Sequence, residues 1–156
     1  IKPYFFGTTS LKDMDTKIKE VIDYGGTAVC VFDTDVSYRN AVENERLIKL
    51  RNKYSGRDDV IFCDSHTSIE YWFLLHFENT NRYFKDSAST ENELRKFIKD
   101  YDKKKKFLED IKWVSELCKD NKLELAKSRA KEFGSNGESY SNVYKAFEIF
   151  DKTKDL

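Results

Sequence analysis

Thr27-Ala28-Val29-Cys30-Val31-Phe32-Asp33-Thr34-Asp35 is a short apolar run that stops abruptly in acid. It is too short for an ordinary buried helix and rich in β-branched residues, so it predicts a buried strand, of the kind found in parallel sheets covered on both faces. Upstream, Leu11, Met14, Ile18, Val21 and Ile22 recur at spacings of three and four before Gly25-Gly26, the pattern of an amphipathic helix with a glycine stop. Downstream, Asn40 to Tyr54 carries Ala41, Val42, Leu47, Ile48 and Leu50 among charges and is broken by Ser55-Gly56, which predicts a second helix. Val60-Ile61-Phe62-Cys63 then repeats the strand pattern and again ends in acid, Asp64. The order helix, strand, helix, strand predicts an α/β fold whose parallel sheet is joined by helical crossovers.

The character of the chain changes after Ser68. Ile69-Glu70-Tyr71-Trp72-Phe73-Leu74-Leu75-His76-Phe77 is apolar nearly all round and predicts a deeply buried helix. Beyond it no strand is expected, only helices near 90–100, 103–120, 122–133 and 140–151, with Gly134 to Ser139 as a flexible joint. The expected organisation is one domain over residues 1–156, with an α/β core over 1–78 and a helical extension over 79–156.

Composition narrows the possibilities. A chain of 156 residues with 39% hydrophobic and 15% aromatic side chains has enough large apolar groups to build a core, which excludes a disordered polymer. Its 28 basic and 28 acidic side chains cancel, so any attraction to nucleic acid or an anionic membrane must be local. Three widely separated cysteines do not make a disulfide framework, and neither their spacing nor the two histidines has the pattern of a zinc site. No apolar run approaches bilayer length and no leader precedes the first helix, so the expected location is the cytoplasm, without membrane contact.

Asp33 and Asp35 flank Thr34 where a strand meets a loop. Strand alternation would put both carboxylates on one side of the sheet's carboxyl edge, where ligands of α/β folds collect. Two neighbouring carboxylates repel unless a proton or cation lies between them, and hard oxygen ligands select magnesium or manganese. Asp residues at strand ends also serve as plain turn formers and caps. Glu70 is an acid on an otherwise apolar helix and must be paired, protonated or metal-bound. Thr67 and Glu70 also have capping-box spacing, which would account for both as a helix start. His66 and Ser65 fall in the segment after the second strand, beside the Asp33 loop if the strands adjoin; His76 is read as structural. Lys103, Lys104, Lys105 and Lys106 form a basic run able to contact phosphates, with Glu109 and Asp110 close by to offset it.

Two segments, Val31-Phe32-Asp33-Thr34-Asp35 and Ser65-His66-Thr67-Ser68-Ile69-Glu70-Tyr71-Trp72-Phe73-Leu74-Leu75-His76-Phe77, resemble the RloB-like family. That family pairs an apolar strand ending in D-x-D with a later S-N-P-x-F-E-x-W-x-L-L-H-F-type segment. Ser65, Glu70, Trp72, Leu74, Leu75, His76 and Phe77 match, while His66 and Thr67 stand where the family has Asn-Pro. The resemblance implies a Toprim-like, Rossmann-like core and magnesium-dependent phosphodiester chemistry in restriction-modification or phage-defence loci. It implies Asp33 and Asp35 as metal ligands, Asp33, Asp35 and Glu70 as catalytic groups, nucleic acid as partner, and an associated defence-locus protein as a second one. The family's catalytic glutamate follows a first strand, yet Lys2 stands where the matching acid of the opening segment would be. The first strand and its glutamate are therefore expected ahead of Ile1, or the activity has been lost. The rival expectation is a non-catalytic interaction module built on the same fold. A nucleotide-binding domain is disfavoured because Gly25-Gly26 precedes a strand instead of following one.

Overall fold

The computed structural model describes residues 2, 4, 10–135 and 138–154. Ser10 accepts the Asp13 N–H and opens α1 (Leu11–Asp23), which ends at Tyr24 as Gly25 takes a φ of 71°. The chain continues through β1 (Ala28–Asp33), a one-turn α2 (Asp35–Arg39), α3 (Ala41–Lys53) capped by Asn40, and β2 (Val60–His66). Strands β1 and β2 are parallel, in a register that pairs Ala28 with Val60 and Asp33 with Ser65. The α/β prediction and its crossover through α3 are what the structure has.

Alternation divides the strands between two surfaces. Ala28 and Phe32 of β1 and Val60 of β2 join Leu11, Met14 and Ile18 of α1 and Leu47 and Leu50 of α3 in one core. The opposite face carries Val31 and Asp33 of β1. Val31 is 55% exposed there, so β1 is covered on one face and open on the other at this point, a departure from the fully buried strand expected.

The second half holds α4 (Ile69–Leu74), α5 (Ser87–Leu94), α6 (Lys105–Leu108), α7 (Ile111–Cys118), α8 (Lys122–Phe133), β3 (Tyr140–Ser141) and α9 (Tyr144–Lys154). Tyr71, Trp72, Leu74 and Leu75 are buried as expected, in a second core shared with Ala126 and Ala130 of α8 and Val143. Several boundaries differ from the sequence expectation: the buried helix expected through Phe77 ends at Leu74, the helix expected over 90–100 ends at Leu94, and the last, expected over 140–151, runs Tyr144–Lys154. The helix expected over 103–120 is split at Glu109-Asp110, because Asp110 accepts the Lys112 N–H and caps a new helix. The helix expected near residue 90 begins earlier, where Asp86 and Ser89 form a capping box. Tyr140–Ser141 adds a short third strand antiparallel to β2, in the order β1-β2-β3, so the sheet is mixed. Of the joint expected over Gly134 to Ser139, residues 136 and 137 lie outside the described residues, as do 1, 3 and 5–9 of the opening stretch. No helix among the described residues is long and apolar enough to cross a membrane.

Candidate functional site at the carboxyl edge of the sheet

Asp33 is the last residue of β1 and Asp35 the first of α2, so strand alternation does not govern Asp35. Between them Thr34 is fully buried; its N–H donates to the Ser65 carbonyl at 3.0 Å and its hydroxyl to the same oxygen at 3.1 Å. These two bonds lock the turn onto the end of β2. Asp33 then reaches across to α4, where its Oδ1 accepts the Ile69 N–H at 2.8 Å.

That bond corrects the capping-box expectation. Ser68 is the N-cap of α4 and makes no side-chain cap bond, and Thr67 donates its hydroxyl to the Phe84 carbonyl at 2.7 Å. The helix start is capped from another element by Asp33, and Glu70 is released from the role that its spacing to Thr67 implied.

Glu70 is 1% exposed. Its Oε1 accepts from the Tyr101 hydroxyl at 2.9 Å and from Lys103 Nζ at 3.0 Å, while Oε2 is buried without a partner. The Ser68 hydroxyl, two residues earlier, is also buried and unpartnered. Buried polar atoms without partners are rare in native proteins and call for a specific explanation. Burial pushes the Asp33 carboxyl up to about 6; the Glu70 and Asp35 charges add to the rise, and the Ile69 N–H and Lys103 oppose it. Asp33 therefore lies in the field of both Glu70 and Asp35. Partial burial works against the Lys103 ammonium, but Glu70 and Glu91 outweigh it and hold its pKa above the usual lysine value.

The four lysines are not one surface. Lys103 turns to Glu70, with Glu91 at 3.8 Å, whereas Lys104 pairs with Asp102 at 3.0 Å and Lys105 with Glu109 at 3.6 Å. Lys104, Lys105 and Lys106 are exposed. Tyr101 has no signal in the sequence that would mark it, since its role depends on a loop fold that brings it onto Glu70.

Asp64, expected at a strand end, lies inside β2 and 2% exposed. It is satisfied by Arg51, by the Tyr140 hydroxyl at 2.8 Å and by Asn142 Nδ2 at 3.0 Å, a structural network that ties β3 and α3 to β2. His76 is likewise structural, its Nδ1 lying 2.9 Å from the Trp72 carbonyl, and burial lowers its pKa to about 4. His66 lies against Thr34 at 3.2 Å, and Ser65 Oγ meets Ser141 Oγ at 2.9 Å. A groove of about 480 Å³ between α1 and α3, lined by Lys12, Arg46, Lys49 and Lys53 among others, does not include Asp33, Asp35 or Glu70.

Among the described residues no three His, Cys, Asp or Glu side chains converge into a ready metal cage. Magnesium does not require one, since it keeps several waters and is held through one or two carboxylates. Asp33 and Glu70, two coupled acids with one buried oxygen unpaired, fit a hard cation of that kind, with Asp35 beside them.

No curated protein and no solved structure matches the chain. A family model described as RloB-like protein matches residues 9–149. That match takes in the sheet, the Asp33 turn and most of the helical half, and the chain belongs to the RloB-like family.

Proposed function

We propose that this chain is a Toprim-like, magnesium- or manganese-dependent domain that cleaves phosphodiesters of nucleic acid in restriction or phage defence. The observation that carries the reading is the unpaired, buried Glu70 Oε2 beside an Asp33 carboxyl raised to about 6. A divalent cation would relieve both conditions at once, neutralising the repulsion and giving the orphaned oxygen a partner. When bound, the cation would polarise a phosphoryl oxygen or a water.

The chain's own groups have separable tasks. Asp33 and Asp35 present carboxylates at the strand end, and Glu70 supplies a third from α4. Tyr101 and Lys103 both engage Glu70 Oε1, which orients the carboxylate so that Oε2 is the oxygen left for a ligand. Lys104, Lys105 and Lys106, exposed on the same loop and helix start, offer positive charge to a phosphate backbone. The link of RloB-like proteins to defence loci supports the biological setting and a partner protein from the same locus; the cytoplasm is the compartment proposed with it.

A second reading is a non-catalytic interaction module. It is favoured by one specific observation, that Asp33 already has a structural task as the cap of α4. Manganese titration followed by electron paramagnetic resonance separates the two. Saturable binding that is weakened at least tenfold in both Asp33→Ala and Glu70→Gln supports the metal-dependent reading. Absence of binding in the folded native protein would leave the interaction module.

A further inference from the structure

Tyr38 lies one turn beyond Asp35 in α2 and leaves 61% of its surface open to solvent, yet its ring is not free. It lies over His66 with ring centroids 3.9 Å apart and planes 29° apart, and His66 in turn stacks with Tyr140 at 5.9 Å. Both inner rings are fixed. Thr34 spends its single hydroxyl hydrogen on the Ser65 carbonyl, so it can only accept from His66 Nδ1, which sets the Nδ1–H tautomer and holds the imidazole plane. Tyr140 is held through its hydroxyl by Asp64.

A single exposed aromatic ring is ordinary on a protein surface. This one differs because it is supported from beneath by a fixed, largely buried column, and no described residue stacks on its outer face. Two arginines lie near it, one of them paired with the buried Asp64. Arg39 follows it on α2 and is exposed, and Arg51, its side chain 40% exposed, is close enough to sense the Tyr38 and Tyr140 hydroxyls. Asp35 acts electrostatically on His66, so the acidic strand end and the aromatic column share one corner of the molecule.

We propose that Tyr38 is a base-stacking platform: an unpaired nucleotide lays its base on the outer face of Tyr38, with the exposed Arg39 beside its phosphate and the Asp33–Asp35 turn within reach, so that the substrate class is single-stranded nucleic acid. A ring face accepts any base, whereas bases inside a duplex are already stacked and unavailable to it. The inference rests on the reading of the Asp33–Glu70 site as one that acts on phosphodiesters, and it adds which form of nucleic acid that site receives.

The test is binding without cutting. Fluorescence anisotropy of the native protein with a labelled single strand of about ten nucleotides, and with its duplex, is measured in EDTA and again in calcium. Single strand is expected to bind more tightly than duplex. Tyr38→Ala is expected to weaken single-strand binding about tenfold and leave duplex binding unchanged, and Tyr38→Trp to restore single-strand affinity. Circular dichroism confirms that both variants are folded. Equal binding of single strand by native protein and Tyr38→Ala overturns the platform, as does preference for duplex or lack of binding in both buffers. Tyr38-dependent binding in a protein that never cleaves would overturn the proposed hydrolysis and leave the platform standing. Cleavage indifferent to Tyr38 would do the reverse.

Discussion

Asp33 Oδ1 accepts the Ile69 N–H at 2.8 Å, which fastens the end of the first strand to the start of the helix that carries Glu70. One carboxylate thus caps a helix from outside it and brings a second, buried carboxylate into its own field. Structure and chemistry compete for the same side chain. The variants that separate them are Asp33→Asn, which keeps an acceptor and loses the charge, and Asp33→Ala, which loses both. Asp33→Ala is expected to lower stability by about 1 kcal/mol, measured by urea denaturation at pH 7, with Asp33→Asn at or above native stability. An equal loss in Asp33→Asn and Asp33→Ala would mean that the charge, and not the cap, holds the turn.

Two groups set opposite slopes of stability against pH. The folded-state pKa of Asp33 is raised to about 6, so the native state holds a proton that the unfolded chain releases, and its contribution is lost as pH rises from about 4 through 6. His76 is lowered to about 4, so the unfolded chain takes the proton first, and stability is lost as pH falls below about 6.5. The native profile contains both slopes, together with that of His66, whose pKa burial also lowers. Thermal denaturation from pH 4 to 8 is expected to show a steeper acid-side fall in Asp33→Asn than in native protein, because the opposing slope is gone. An identical pH profile in the two proteins would contradict the burial of Asp33.

Lys103 and Lys104 are neighbours in sequence with different tasks. Lys103→Met removes a charged partner from a nearly inaccessible carboxylate and is expected to cost about 1–2 kcal/mol, whereas Lys104→Met, on an exposed pair, is expected to change stability by less than about 0.5 kcal/mol. Combining Lys103→Met with Glu70→Gln should cost less than the sum of the two, since they share one contact. Full additivity in urea denaturation would contradict the pairing.

The cysteines report burial directly. Burial pushes the Cys30 thiol up to about 11 and Cys63 up to about 12, while Cys118 is exposed. Maleimide at pH 7.5 is expected to label Cys118 rapidly and the two strand cysteines only after unfolding. Rapid native-state labelling of Cys63 would show that β2 opens readily.

The path from sequence to site is legible where local pattern and tertiary structure agree. Leu11, Met14 and Ile18 have the helical spacing and occupy the core it implies, and Ala28 to Asp33 is the strand its composition indicates. Asn40 caps α3 where the periodic run begins. The pattern misleads where a contact is long-range. Thr67 and Glu70 have capping spacing, but Asp33 takes the cap and Thr67 turns to Phe84, because the strand end delivers a carboxylate acceptor to the Ile69 N–H at the helix start. β3 is two residues long and carries no period to detect; it exists because Ser141 and Asn142 bond to β2. Tyr101 and Lys103 meet Glu70 through the turns after α5, which no spacing rule reaches.

The most direct measurement is cleavage of single-stranded DNA, duplex DNA and RNA by the protein in magnesium, manganese or EDTA, beside Asp33→Ala and Glu70→Gln. Metal-dependent cutting is expected, strongest on a single strand, and is expected to fall at least a hundredfold in both variants while each remains folded. Cutting that persists in EDTA or in Asp33→Ala would contradict the proposed chemistry, and so would a folded native protein that binds manganese and single-stranded nucleic acid yet leaves every substrate intact.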